Sequence, residues 1–156
     1  TRDFVAALVN IDMDVVSRWA EERKLSFSTF TDLSQKPEVA ELVREEVERV
    51  NQFLPAHARV RKFANFPKEL DPDEGELTRT RKLRRSFLEQ RYSALIDAMY
   101  AGRGNVELEI NVTYQDGRHG KFVATVFIHD LGVPSPATAA RIARRACNLL
   151  TDDQYE

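Results

Sequence analysis

Between Val106 and Tyr114 the chain alternates without a break. Val106, Leu108, Ile110, Val112 and Tyr114 are apolar or aromatic, and Glu107, Glu109, Asn111 and Thr113 between them are polar. Successive side chains of a strand point to opposite faces, so a period of two demands an extended segment with one face buried. A helix would scatter the same apolar set around its circumference. A strand needs a partner, and the next residues supply one. Asp116-Gly117 sits in a turn, and Lys121 to His129 reads as the returning strand of a hairpin. Ser135-Pro136 then marks a helix start, an N-cap followed by proline at the first helical position. Ala139, Ile142, Ala143, Ala146, Leu149 and Leu150 give that helix a face of mostly small residues, suited to close approach to a sheet.

Upstream the period changes. From Pro37, residues Val39, Leu42, Val43, Val47, Val50 and Leu54 recur at spacings of three and four, with Glu38, Glu41, Glu45, Glu48 and Arg49 on the other faces. This predicts an amphipathic helix that stops at Pro55. Phe4 to Ile11 is a short continuous apolar run, the pattern of a buried strand. Asp12 offers an N-cap for a helix to about Lys24, with Met13, Val16, Trp19 and Ala20 on one face. Ser26 to Ser34 reads as a turn with one helical turn in it, and Arg59 to Phe66 as a strand ended by Pro67. Lys68 to Gly75 is an acidic turn, with Asp71, Asp73, Glu74 and Glu76 expected at the surface; their spacing lacks a calcium-loop pattern. A helix follows, with Leu83, Phe87, Leu88, Leu95, Ile96 and Met99 as its buried set and Gly102 as its C-cap. The fold class is α+β: a small sheet flanked by helices, with the hairpin either joining that sheet or forming a second layer with the last helix.

Composition narrows the function. The net charge of −2 gives no support to general nucleic-acid or membrane-surface binding, so either would need a local patch. Cys147 is the single cysteine, which excludes an intrachain disulfide and a Cys-rich zinc site and fits a cytoplasmic setting; its helical position reads as buried filler. His57, His119 and His129 fall on different elements with no metal-ligand spacing, so no metal site is expected. No apolar run approaches the length of a membrane span. Trp19 reads as core, and Arg141, Arg144 and Arg145 as a solvated helix face.

The segment Gly75 to Arg85 stands apart. It gathers Arg79, Arg81, Lys82, Arg84 and Arg85 within seven positions, after a glycine turn and ahead of a helix. The plain reading is a solvated helix start. Cations at a helix N-terminus oppose the helix dipole, however, and an anionic partner would resolve that conflict. A lysine on a loop suits a developing anion as a compact point charge.

Gly75-Glu76-Leu77-Thr78-Arg79-Thr80-Arg81-Lys82-Leu83-Arg84-Arg85 resembles the last core motif of the adenylate-forming enzymes, which in the long-chain acyl-CoA synthetases reads G-E-L-T-P-T-L-K-x-K-R. Lys82 falls on the family's catalytic lysine. Upstream, Phe4 to Val9, Trp19-Ala20, Pro37 to Asn51 and Arg61 to Pro67 resemble, in order, the strand, helices and strand of the family's C-terminal lid. The likeness covers residues 4 to 100. Arg79 departs from the motif's proline and Arg81 from its leucine or glycine, which loosens the loop and adds charge.

The resemblance implies that residues 1–102 are the C-terminal lid of a long-chain fatty acid–CoA ligase, with residues 103–156 an appended hairpin–helix module. It implies a carboxylate and MgATP giving an acyl-adenylate, then acyl transfer to CoA. Lys82 would act in the first step, and Thr80, Arg81 and Arg84 would contribute to nucleotide binding; another face of the lid would help form the CoA side. ATP, Mg2+ and CoA would be bound mainly by an N-terminal adenylation domain. The chain shows none of that domain's phosphate loop, so it is expected to be a fragment, inactive alone, of a cytoplasmic enzyme or one peripheral at a membrane. Two other readings stay open. Residues 103–156 could mediate protein interaction or self-association without chemistry. Residues Arg79 to Arg85 could form a nucleic-acid patch, against which the lack of stacking aromatics counts.

Overall fold

A computed structural model of the chain describes residues 2–113 and 117–132. Four strands, β1 (Val5–Val9), β2 (Val60–Asn65), β3 (Asn105–Thr113) and β4 (His119–Asp130), form one sheet in the order β1-β2-β4-β3. β1 runs parallel to β2, and β4 runs antiparallel to both of its neighbours. Of the two placements open to the hairpin, it takes the first and joins the sheet. β4 does so by dividing its length. Residues 119–127 pair with β3, and residues 128–130 pair with Ala64, Phe63 and Lys62 of β2. Alternation sets the register: Val106 lies opposite Val126, Leu108 opposite Ala124 and Ile110 opposite Phe122.

Helices cover both faces. α4 (Arg85–Arg91) and α5 (Ser93–Tyr100) pack Leu88, Leu95, Ala98 and Met99 against Ala64, Phe66, Val106 and Val126. On the other face α1 (Met13–Glu22), α2 (Phe30–Ser34) and α3 (Pro37–Asn51) bury Val16, Ala20, Leu33 and Val39 with Ile11. Asp12 caps α1 as expected, its carboxylate accepting from Val15 N at 3.0 Å. Trp19 is half-buried against this second cluster, with the Arg23 guanidinium 4.4 Å above its ring. Polar side chains tie the α1–α3 layer to the sheet. Gln35 donates to Asn65 O and accepts from Phe127 N, and the buried Arg44 donates to Asp130 O at 2.6 Å.

Four expectations change. The run Phe4 to Ile11 forms an edge strand rather than a fully buried one. β1 pairs only with β2 among the described residues, and Val5 stays 40% exposed. The amphipathic face of α3 buries Val39 but leaves Val50 53% exposed, although Asn51 beside it bonds both backbone groups of Val60 at the start of β2. The helix expected from Leu83 begins at Arg85 and is divided at Tyr92, whose ψ of 22° ends α4 before α5 resumes. Leu83 is therefore not core; it precedes the helix and is 52% exposed. The last helix, with Cys147, Arg141, Arg144 and Arg145, lies outside the described residues, as do Tyr114 and Asp116 of the hairpin turn.

Because Val126 of the hairpin and Leu95 of α5 share one core, the hairpin and the helices should unfold together. Leu95 has no exposure, so Leu95→Ala is expected to cost about 2–5 kcal/mol in urea denaturation. Backbone amides of β3 and β4 should lose protection in the same transition as those of β2.

Candidate functional site: a lysine hairpin anchored on a buried carboxylate

The cationic segment forms a hairpin of its own, ahead of α4 rather than within it. Leu77 and Leu83 bridge in antiparallel fashion. Thr78 N donates to Lys82 O at 2.8 Å, and Arg81 N donates to Thr78 O at 2.9 Å. Residues 79–81 are thus a three-residue loop, a turn followed by one residue in the left-handed region. That residue is Arg81, at φ 59°. Glycine is usual there, and a side chain costs roughly 1 kcal/mol. Hydroxyls contribute further closure: Thr78 Oγ1 accepts from Lys82 N at 3.0 Å and lies 3.0 Å from Thr80 Oγ1. The turn closes with Arg79 at the position where proline would have fixed φ.

This geometry brings Thr80, Arg81 and Lys82 together at one exposed tip. Arg84 stands apart, at the N-cap of α4, with its guanidinium 5.4 Å from the centre of the Phe87 ring. Gly75 makes room for it. Its φ is +79°, and a Cβ there would meet the Arg84 guanidinium at 3.1 Å. The helix dipole bears on Arg84 and Arg85 alone, since α4 starts beyond Lys82.

Below the hairpin lies what the sequence did not disclose. Glu76 was expected in an exposed acidic turn, yet it has no exposure at all. Its Oε2 accepts from Asp71 N at 3.0 Å and lies 3.2 Å from Lys68 Nζ. Its Oε1 accepts from the Tyr92 hydroxyl at 3.2 Å and lies 3.4 Å from Arg91 Nε. Glu74 bridges the same two cations, at 2.7 Å from Lys68 and 2.6 Å from Arg91. Lys68, Glu74, Glu76 and Arg91 thus form a closed set of two cations and two carboxylates. A buried charge is tolerated when it is paired and hydrogen-bonded in this way. No short-range spacing links Lys68, Glu76 and Arg91, so a scan for local motifs passes over them. The only sequence signal was the place of Glu76 inside the Gly75–Thr78 motif.

Two groups in this set have shifted pKa values. Burial pushes the Tyr92 phenol well above its ordinary range, and the adjacent Glu76 charge adds to the shift. Burial opposes ionisation of Glu74, but hydrogen bonds and charge from Lys68 and Arg91 outweigh it and hold the carboxyl below its usual value. The histidines remain apart. His57 and His119 are exposed, and His129 is half-buried against Phe63, with its pKa lowered by burial and by Arg44. Among the described residues no group of three His, Cys, Asp or Glu is arranged to hold a metal ion, and no helix is long and apolar enough to cross a membrane.

Residues 25–104 match the family of AMP-binding enzyme C-terminal domains, and the chain belongs to that family. Among curated proteins it is similar to the long-chain-fatty-acid–CoA ligase FadD15 of Mycobacterium tuberculosis, 27% identical over 64% of this chain and 17% of the relative. It is also similar to the putative fatty-acid–CoA ligase fadD11 of the same species, 31% identical over the same shares. The long-chain-fatty-acid–CoA ligase heimdall of Drosophila melanogaster is 31% identical over 44% of this chain and 10% of its own length. The chain thus spans about a sixth or less of these relatives. No solved structure matches it significantly.

The shifted groups predict opposite limbs of a pH–stability curve. The folded Tyr92 pKa lies above the 10.0 of a free tyrosine, so its contribution is full below pH 10 and lost as pH rises through the folded value. The folded Glu74 pKa lies below the 4.5 of a free glutamate, so its contribution is full above that pH and lost as pH falls through the folded value. Urea midpoints measured against pH should show Tyr92→Phe flattening the alkaline limb and Glu74→Gln the acid limb.

Proposed function

We propose that this domain is the C-terminal lid of a fatty-acid–CoA ligase and that Lys82 supplies the positive charge for acyl-adenylate formation. The observation that carries the reading is the exposed Lys82 at the tip of a hairpin closed by hydrogen bonds, in a chain of this family. In the first half-reaction a carboxylate oxygen of the acid forms a bond to the α-phosphorus of ATP, and the bond to pyrophosphate breaks. Two anions must meet, and negative charge builds on the phosphoryl oxygens. An ammonium held beside both offsets that repulsion without giving up its proton. In the second half-reaction the CoA thiol adds to the acyl carbonyl and AMP leaves. The thiol proton goes to solvent or to a base elsewhere in the ligase.

On the same reading Thr80 and Arg81, exposed at the same tip, and Arg84 at the N-cap of α4 contribute to nucleotide binding. Long-chain specificity rests on the names of FadD15 and heimdall, and the acyl pocket belongs to the remainder of such a ligase. On this reading the Mg2+ that accompanies ATP is likewise held mainly by that remainder. On this reading the 156-residue chain alone lacks ligase activity, and a second face of the lid lines the CoA side.

In the full-length ligase that carries this domain, Lys82→Ala is expected to slow acyl-adenylate formation by about 10²–10³-fold, the scale of one lost electrostatic donor. Thioester formation from supplied acyl-adenylate should stay within a few fold. Pyrophosphate release and CoA-thioester formation, followed separately, decide the matter; equal loss in both, or in neither, rejects the role.

A further inference from the structure

We infer that Glu76 is a positioning residue for Lys82, with Lys68, Arg91 and Tyr92 acting through it. The inference rests on the function proposed above for the identity of the reacting group, and extends it to what fixes that group in space. Every residue from Arg79 to Leu83 is exposed, so the tip has no core contact of its own. Its orientation relative to the sheet must come from the base of the hairpin. Two inward residues occupy that base: Leu77, half-buried against the first core, and Glu76, fully buried.

Glu76 acts on both arms. Its carbonyl accepts from Arg84 N at 3.0 Å, tying the outgoing arm, and its amide donates to Asp71 O at 3.2 Å, tying the incoming one. Its carboxylate reaches two separate parts of the fold. Lys68 lies three residues beyond β2, Arg91 is the last residue of α4 and Tyr92 its C-cap. Tyr92 in turn packs edge-on against Phe66 at 4.9 Å, so the carboxylate is referenced to the sheet through the core. A neutral amide at position 76 would keep the shape of the side chain but leave two cations facing one carboxylate. The base would then relax, and a lysine six residues away would lose its fixed approach. Misplacement by a fraction of an ångström to one ångström is enough to slow a positioned reaction by an order of magnitude or more.

The test pairs two measurements. In the 156-residue chain, hydrogen exchange at the Lys82 and Arg84 amides should quicken in Glu76→Gln while amides of β2 keep their protection. In the full-length ligase, Glu76→Gln should lower kcat for adenylate formation about tenfold, with KM for ATP and thioester formation from supplied acyl-adenylate within about twofold. Glu76→Asp, which keeps the charge, should recover part of the loss. Equal loss in both half-reactions, or unchanged exchange at Lys82, overturns the inference. Should Glu76→Gln fail to fold, Tyr92→Phe, which keeps the ring against Phe66, decides on the same two readouts. If Lys82→Ala leaves adenylation intact, the function proposed above falls. If Lys82→Ala abolishes it while Glu76→Gln is silent, only the positioning role falls.

Discussion

A carboxylate withdrawn wholly from water keeps its charge only where the protein replaces the lost hydration, and Glu76 is met on every side. Lys68, Arg91, the Tyr92 hydroxyl and the Asp71 amide each approach one of its two oxygens. These partners come from the exit of β2, the end of α4 and the turn that leads into the hairpin. Holding them on one point fixes how those three segments sit relative to one another. Taking away any one partner leaves a buried oxygen short of a contact that water cannot readily replace. The set is therefore a strict geometric condition rather than a diffuse source of stability. Gly75 favours the same arrangement, since its φ of +79° suits a residue without Cβ and an added Cβ would crowd the Arg84 guanidinium at 3.1 Å.

The sheet meets a second condition by dividing β4 between two neighbours. The long strand pairs with β3 for most of its length and with β2 only at its end. That short junction suffices because the inward residues of the hairpin, Val106 and Val126, enter the core already formed by Ala64, Phe66, Leu95 and Met99. Apolar alternation sets the register, and burial of shared apolar surface supplies the driving force. Arg44 and Gln35 complete the junction from the opposite layer by bonding backbone groups of β4 directly.

Much of this was legible in the sequence, for reasons that can be named. The alternation from Val106 to Ile110 gave the buried face of β3, because a period of two leaves few alternatives. Asp12 gave the start of α1, and Pro37 the start of α3, because caps and first-turn prolines are local signals. The motif around Lys82 gave the position of the candidate lysine. What escaped depends on partners distant in the chain. Glu76 looked like one more acid in a turn, since nothing near it reveals that Lys68 and Arg91 converge on it from either side. Leu83 looked like the first residue of a helix stripe, because an apolar residue three or four positions before others fits that pattern whether or not the helix has begun. β1 looked buried on composition alone, yet the strand lies at the sheet edge, a fact of topology that residue type does not encode.

The placement of the anchor and the lysine on opposite sides of one short hairpin has a physical logic under the proposed function. A group that must meet two anions during one half-reaction and withdraw for the next should be hydrated when idle, and an exposed lysine on a four-carbon stem meets that need. A mobile side chain is of use only if its backbone attachment is definite. The definiteness cannot come from the tip, where Arg79, Arg81 and Lys82 repel one another and Arg81 already sits in an unfavourable conformation. It has to be imported from below, by a group whose own position is over-determined. The buried carboxylate meets that requirement because four groups from three segments converge on its two oxygens. The extra arginines at the tip then fit the same account: with the base fixed, the turn tolerates both the loss of the proline that would have stiffened it and the added charge.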